Sequence, residues 1–328
     1  MTGVKRYEDE LFGALAEADS SWEFDRVRRH QNFALGSTIP SWILTYRTGG
    51  ADLVHATEET VLPATYVHHP ETLVVTCHGL IPLRYPSTIS DLTTRLQWRL
   101  VPERLERADR IIAISEFTKS EILALTDVPE SAIDVVYHGI DHDQYRPLDQ
   151  TACREALDID FDSNTWYVLV VASTLGQKRM DIVREAFEHL VDTDQDIVLL
   201  KAGYAEVLEE PWAKNTGWVD ENDMPKLYNA ADVFLHPSEY ESFGFPVLEA
   251  MACGTPVVAS DRASVTEVAG DAATLLDPNS DDAGEHYAAA ILDRLDDRVD
   301  HEAISWSERF TWRKTAKAVL DVYERAMS

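Results

Sequence analysis

Cysteine is scarce in this chain: 328 residues hold Cys77, Cys153 and Cys253, with no CxxC pair among them. That excludes a disulfide framework and a zinc site built on cysteine pairs. Long apolar runs are missing too. None approaches the roughly 18 residues that a membrane-crossing helix needs, and residues 166–172 form one of the longest. Neither GxGxxG nor GxxxxGK followed by Ser or Thr occurs, which argues against dinucleotide oxidoreductases and P-loop NTPases. The opening residues turn acidic almost at once, at Glu8 and Asp9, and do not read as a signal peptide. A cytoplasmic protein is expected.

Positive charge is in short supply. Against 29 Lys and Arg stand 58 Asp and Glu, a net charge of −29. The acids run through the whole chain, so the surface should repel nucleic acid and find no basic patch for anionic lipid. No nucleic-acid partner is expected, while peripheral contact with a membrane stays open. Acid spread in this way reads as a halophile's surface.

What the chain does contain is enough apolar residue, 45%, for two domains of ordinary size. Its most informative stretch is SEYESFGFPVLEAMACGTPVV, residues 238–258. The apolar run 233–235 before it reads as a buried parallel strand. A polar loop with Gly244 follows, then Pro246 at a helix start, a helix to about Cys253, Gly254 at its end, and a strand from residue 256. Glu241 lies in the loop and Glu249 in the helix. Eight helical residues span roughly 12 Å, too far for one acid–base pair on one bond but suited to the two ends of an elongated ligand. Between them Ser242, Phe243, Gly244 and Phe245 open a helix N-terminus, a natural phosphate site. Hydroxyls, phosphate, hydroxyls: that is the outline of a nucleotide sugar. The plainer alternative is a βαβ corner with two solvated acids.

This stretch resembles the E-x7-E signature of retaining glycosyltransferases of family 4, with its flanking PS…E.FG.P.LEAMA.G.PVV pattern. The resemblance implies the GT-B fold, two Rossmann-like parallel-sheet lobes facing across a cleft, with a terminal helix crossing back to the first lobe. It covers nearly the whole chain and is strongest over residues 110–260. It places Glu241 at the donor sugar and Glu249 at the ribose hydroxyls.

Other segments carry the same likeness. Residues 77–86, CHGLIPLRYP, resemble the family's T.HDL.P.RYP, with Gly79 where Asp is usual; by carry-over His78 meets the donor sugar. Residues 110–121 resemble A…I..SEFSK and predict a strand followed by a capped helix. Residues 133–141 resemble I.V..NG.D, with His138 at the Asn position and Gly139 allowing close backbone approach. Lys178, just ahead of a helix, stands where the family places a phosphate-binding Lys. The Arg that usually precedes it is absent, Ser173 and Gln177 standing in that region, and Arg179 is the candidate substitute. No counterpart of the family's first strand and glycine-rich loop precedes the helix expected from Gly3 to about Glu17, and Gly3 alone stands for that loop; either this sequence starts downstream of the true start or the sheet has lost that strand.

The domains so implied are residues 1–150 on the acceptor side, 151–308 for the nucleotide sugar, and 309–328 as the returning helix. Strands are expected around residues 42–46, 52–55 and 72–76, a helix over 90–108, a linker over 143–165, and a surface loop at His68 and His69. The DxD triplets in and beside the linker read as ordinary acidic chain. His55 ranks below His78 as a site residue. The implied reaction moves a sugar from a nucleoside diphosphate sugar to the hydroxyl of a glycan or lipid-linked glycan, with retention, without a metal or other cofactor. Two alternatives stay open: a sugar-nucleotide epimerase on the same fold, and a non-catalytic nucleotide-sugar-binding subunit.

Overall fold

The computed structural model describes residues 3–18, 20–26, 50–60, 70–86, 89, 92–171, 178–203, 207–297 and 299–328. The strand expected at residues 42–46, the loop at His68 and His69, and positions Ser173 and Gln177 lie outside the described residues. The chain divides into two compact units: Met1–Gly139 with Trp312–Ser328, and Ile140–Thr311.

Among the described residues, the first unit is built on a four-stranded parallel sheet in the order β1 (Leu53–Ala56), β2 (Thr72–Cys77), β3 (Arg110–Ala113), β4 (Ile133–Val135). Leu73 to Cys77 are buried without a break, as a strand covered on both faces requires. Helix Gly3–Glu17 turns Tyr7, Leu11 and Leu15 inward at four-residue spacing. Terminal helix Trp312–Met327 buries Trp312, Ala316, Val319, Val322 and Tyr323 and packs on both Gly3–Glu17 and β2. Ser115 caps helix Glu116–Leu125 as expected, its Oγ accepting the Thr118 N–H at 3.0 Å. The long helix read over residues 90–108 is two, Leu92–Arg99 and Val101–Leu105. Pro102 has no N–H to continue the hydrogen-bond ladder, so the helix restarts there.

The second unit holds a six-stranded parallel sheet in the order β10-β9-β8-β5-β6-β7. These are β5 (Trp166–Val171), β6 (Ile197–Ala202), β7 (Ala213–Gly217), β8 (Val233–His236), β9 (Val257–Ser260) and β10 (Thr274–Leu276). From β5 the chain winds outward through β6 and β7, then returns to β8 on the other side. Strand order therefore reverses between β5 and β8, and such a switch point opens a crevice beyond the strands' C-terminal ends. Val168, Val170, Ile182, Phe187, Leu199, Leu235, Val258, Tyr287 and Ile291 share its core.

The segment read as a linker contains helix Gln150–Ala156. Polar pins bind it to the second sheet. Asp232 Oδ2 accepts from Arg154 at 2.8 Å and from the Tyr167 N–H at 2.7 Å, and Asn229 Oδ1 accepts the Leu148 N–H at 2.7 Å. Carboxylates of the DxD triplets are occupied with turns: Asp141 accepts the Asp143 N–H at 2.9 Å, and Asp162 accepts that of Asn164 at 2.9 Å. A further helix, His301–Ser307, went unread in the sequence.

Candidate active site

At the switch point two segments converge. One carries Lys178 just before helix Met180–Leu190. The other leaves β8 at His236 and passes through Glu241 into helix Phe245–Cys253. Lys178 Nζ forms an ion pair with Glu241 Oε1, both side chains being 15% exposed. His236, buried at the end of β8, brings its Nε2 to 3.2 Å from the same oxygen. Burial opposes the charge on Glu241, but Lys178 and His236 outweigh it and hold the carboxyl well below the usual carboxylate range. Burial also pushes His236 down, against the pull of Glu241, so its imidazole is neutral at pH 7. Both contacts fall on Oε1 of the carboxylate.

The loop is fixed by hydroxyls at and just beyond the end of β9. Ser264 donates from N and Oγ to the Glu241 carbonyl at 3.4 and 2.9 Å. Ser260 donates to the Ser238 carbonyl at 2.6 Å. Gly244 caps the helix at φ 99°, a left-handed conformation that an L side chain rarely adopts. It adds no side-chain oxygen over the first-turn amides, which leaves the positive end of the helix dipole to an anion. Phe243 and Phe245 meet edge to face at 5.1 Å on either side of it, beside Ser242.

Glu249 lies one turn into that helix and is 7% exposed. Tyr228 donates its hydroxyl to Glu249 Oε2 at 2.7 Å, and burial, then the Glu249 charge, push the phenol well up. Arg179, with φ 50°, precedes helix Met180–Leu190. Its guanidinium reaches Asp181 at 2.9 Å, Asn279 at 2.9 Å and Glu239 at 3.3 Å.

In the first unit, His78 follows the end of β2. Its Nε2 lies 2.9 Å from the Thr57 carbonyl. A carbonyl only accepts, so Nε2 carries the proton and Nδ1 keeps a lone pair. Burial pushes this imidazole down to about 4 despite that hydrogen bond. Its backbone N–H donates to the buried Glu59 at 3.0 Å, and burial drives that carboxyl up to about 7. Tyr7 meets the His78 ring edge-on at 4.8 Å and His138 stacks on it at 5.4 Å. Gly79 takes φ 124°, which explains glycine where the resemblance leads one to expect Asp. The ring-orienting part falls instead to Thr57.

His55 is a structural bridge: Nδ1 lies 2.7 Å from the Tyr323 hydroxyl and Nε2 lies 2.8 Å from Thr76 Oγ1. Gly139 is buried at the end of the unit, and Gly3 is the exposed first residue of its helix. Sequence reasoning brought out Lys178, Glu241, Glu249 and His78 but missed His236, Tyr228, Thr57 and Glu59. His236 stands directly between the apolar run 233–235 and the recognised stretch that follows it, and that was the available signal. Among the described residues no group of three or more His, Cys, Asp or Glu is placed to hold a metal ion, and no helix is long and apolar enough to cross a membrane.

Two parallel α/β sheets, the second with a paired lysine and glutamate at its switch point beside an uncapped helix start, define the class of two-lobed GT-B proteins. Residues 6–144 match the family described as Glycosyltransferase Family 4, and residues 155–309 match Glycosyl transferases group 1. The chain belongs to the family 4, group 1 glycosyltransferases. It is similar to O-antigen chain mannosyltransferase B of Escherichia coli, at 30% identity over 78% of this chain and 71% of that one. It is also similar to D-inositol 3-phosphate glycosyltransferase of Saccharomonospora viridis, at 32% identity over 78% of this chain and 65% of that one. Among solved structures, Anabaena HepE in complex with UDP-glucose shares the fold with a TM-score of 0.72 at 21% identity, over 90% of this chain and 84% of that one.

Proposed function

We propose that this enzyme moves a hexose from a nucleoside diphosphate sugar to a hydroxyl of a glycan or lipid-linked glycan, with retention at the anomeric carbon and without a metal ion. The observation that carries this reading is the Lys178–Glu241 pair, set beside the start of helix Phe245–Cys253. A diphosphate there meets an ammonium and a helix dipole, both of which stabilise the charge that develops as the sugar departs. Glu241 Oε2 accepts a sugar hydroxyl, and Glu249, oriented by Tyr228, accepts the ribose hydroxyls. His78 serves through the lone pair on Nδ1, as an acceptor and not as an acid. The relative named as an O-antigen chain mannosyltransferase favours a glycan acceptor.

A thermal-shift panel with UDP, GDP, ADP and their hexose conjugates tests the donor. Ligand at 100 times Kd should stabilise by about 2.7 kcal/mol, and the shift should vanish in Glu249→Ala. With the donor in hand, NMR of the product reads the anomeric configuration, and EDTA should leave the rate unchanged. An inverted product sinks retention. Conversion of the donor with no acceptor present would point to an epimerase.

A further inference from the structure

Glu241 and Lys178 have been assigned to different parts of the donor, the sugar and the diphosphate, yet in the ligand-free protein they are bound to each other. Each side chain is mostly buried, so neither charge can turn to bulk water when its partner is taken away. Lys178 brings one ammonium to the site, and its carboxylate partner is an occupant that a diphosphate has to displace. We propose that Glu241 competes with the diphosphate for Lys178, so that the carboxylate that receives the sugar also drives out the nucleoside diphosphate product. The inference rests on the donor site just described.

The competition has a direction. While the intact donor is bound, a sugar hydroxyl donates to Glu241, disperses its charge and gives it a partner in place of Lys178. Transfer removes that hydroxyl. Glu241 then faces a diphosphate with one more negative oxygen than before, and its nearest cation is Lys178. Repulsion between the anions and attraction to Lys178 act together, and both oppose retention of product. His236, 3.2 Å from Oε1 and packed against Phe234 at 5.8 Å between ring centroids, holds the carboxylate within reach of the lysine. The site thus favours the intact donor over the spent nucleotide without any contact to the base.

Nucleotide binding to the full chain, measured by calorimetry, tests this. The probes are UDP, GDP and ADP, then the sugar conjugate of whichever binds. Glu241→Gln removes the competing charge and keeps the side chain's size. It should tighten the nucleoside diphosphate about tenfold, within the range of couplings between touching groups, and weaken the sugar conjugate. In Lys178→Ala the same Glu241→Gln change should tighten the nucleoside diphosphate clearly less than in the parent, because the contested cation is gone and only the direct repulsion between the anions remains. Glu241→Asp, which keeps the charge but shortens its reach, should shift affinity in the same direction by less, and serves if the Gln variant fails to fold. Unchanged or weaker diphosphate binding in Glu241→Gln overturns the proposal. So does equal tightening in the Lys178→Ala background, which would mark simple charge removal. If no nucleoside diphosphate binds the unaltered protein, the donor-site reading fails first and takes this one with it.

Discussion

The hydroxyl of Tyr228 is bonded to Oε2 of Glu249 at 2.7 Å, from a helix 21 residues earlier in the chain. Because a phenol with a raised pKa stays protonated, it can only donate here. The contact fixes the orientation of the Glu249 carboxylate. Tyr228→Phe should therefore weaken the donor by roughly ten- to a hundredfold, the worth of a hydrogen bond to a charged group, with kcat less affected than KM. An unchanged KM would reduce Tyr228 to a packing residue.

Gly79 yields a prediction against the resemblance. Restoring the expected acid with Gly79→Asp places a side chain at φ 124°, and a non-glycine residue held in such a region costs of order 1–3 kcal/mol. Denaturant unfolding should show a loss of that size. The loss should come without gain in activity, since Thr57 already orients His78. A variant at least as stable as the parent would show that the loop relaxes freely.

Acid should destabilise the protein through its buried histidines. His78 is lowered from 6.5 to about 4 and His55 from 6.5 to about 3, in both cases chiefly by burial. Unfolded chains bind these protons first, so stability falls as pH drops below 6.5 and goes on falling toward those folded values. Glu59 acts oppositely. Its carboxyl is raised from 4.5 to about 7, so its contribution is complete below 4.5 and is lost as pH rises through 7. Thermal melts from pH 8 to 4 should show a declining Tm, and Glu59→Gln should make the decline steeper. An identical acid limb in that variant would remove Glu59 from the account.

Salt provides another check. With a net charge of −29, self-repulsion is screened over about 10 Å at 0.1 M salt and about 3 Å at 1 M. Tm should climb steadily between 50 mM and 2 M KCl. A flat profile would remove the halophilic reading and leave an acidic protein of ordinary habit.

Much of the frame was legible because its signals are local. β2, β3 and β5 are centred on the apolar runs LVV, IIA and WYVLVV, and the unit around helix Phe245–Cys253 is punctuated by Gly244, Pro246 and Gly254. What escaped depends on partners far along the chain. Helix Gln150–Ala156 is held by Asn229 and Asp232, some 80 residues on, so the acidic segment around it reads as linker. His78 is oriented by a backbone carbonyl 21 residues away, and a carbonyl leaves no mark on residue type. His236 looked like one more strand residue until the loop folded back to bring Glu241 beside it.

Terminal helix Trp312–Met327 belongs to the first unit. Tyr323 reaches His55, His55 reaches Thr76, and Thr76 reaches Tyr7, whose ring stands against His78. During synthesis these partners are separated by the whole of residues 140–311. At roughly 5–20 residues per second, the first lobe waits for tens of seconds or less without its last helix, while the unit encoded after it already has all its strands. The lobe whose strands emerge first is thus the lobe completed last, and His78 gains its full surroundings only after Tyr323 has been made.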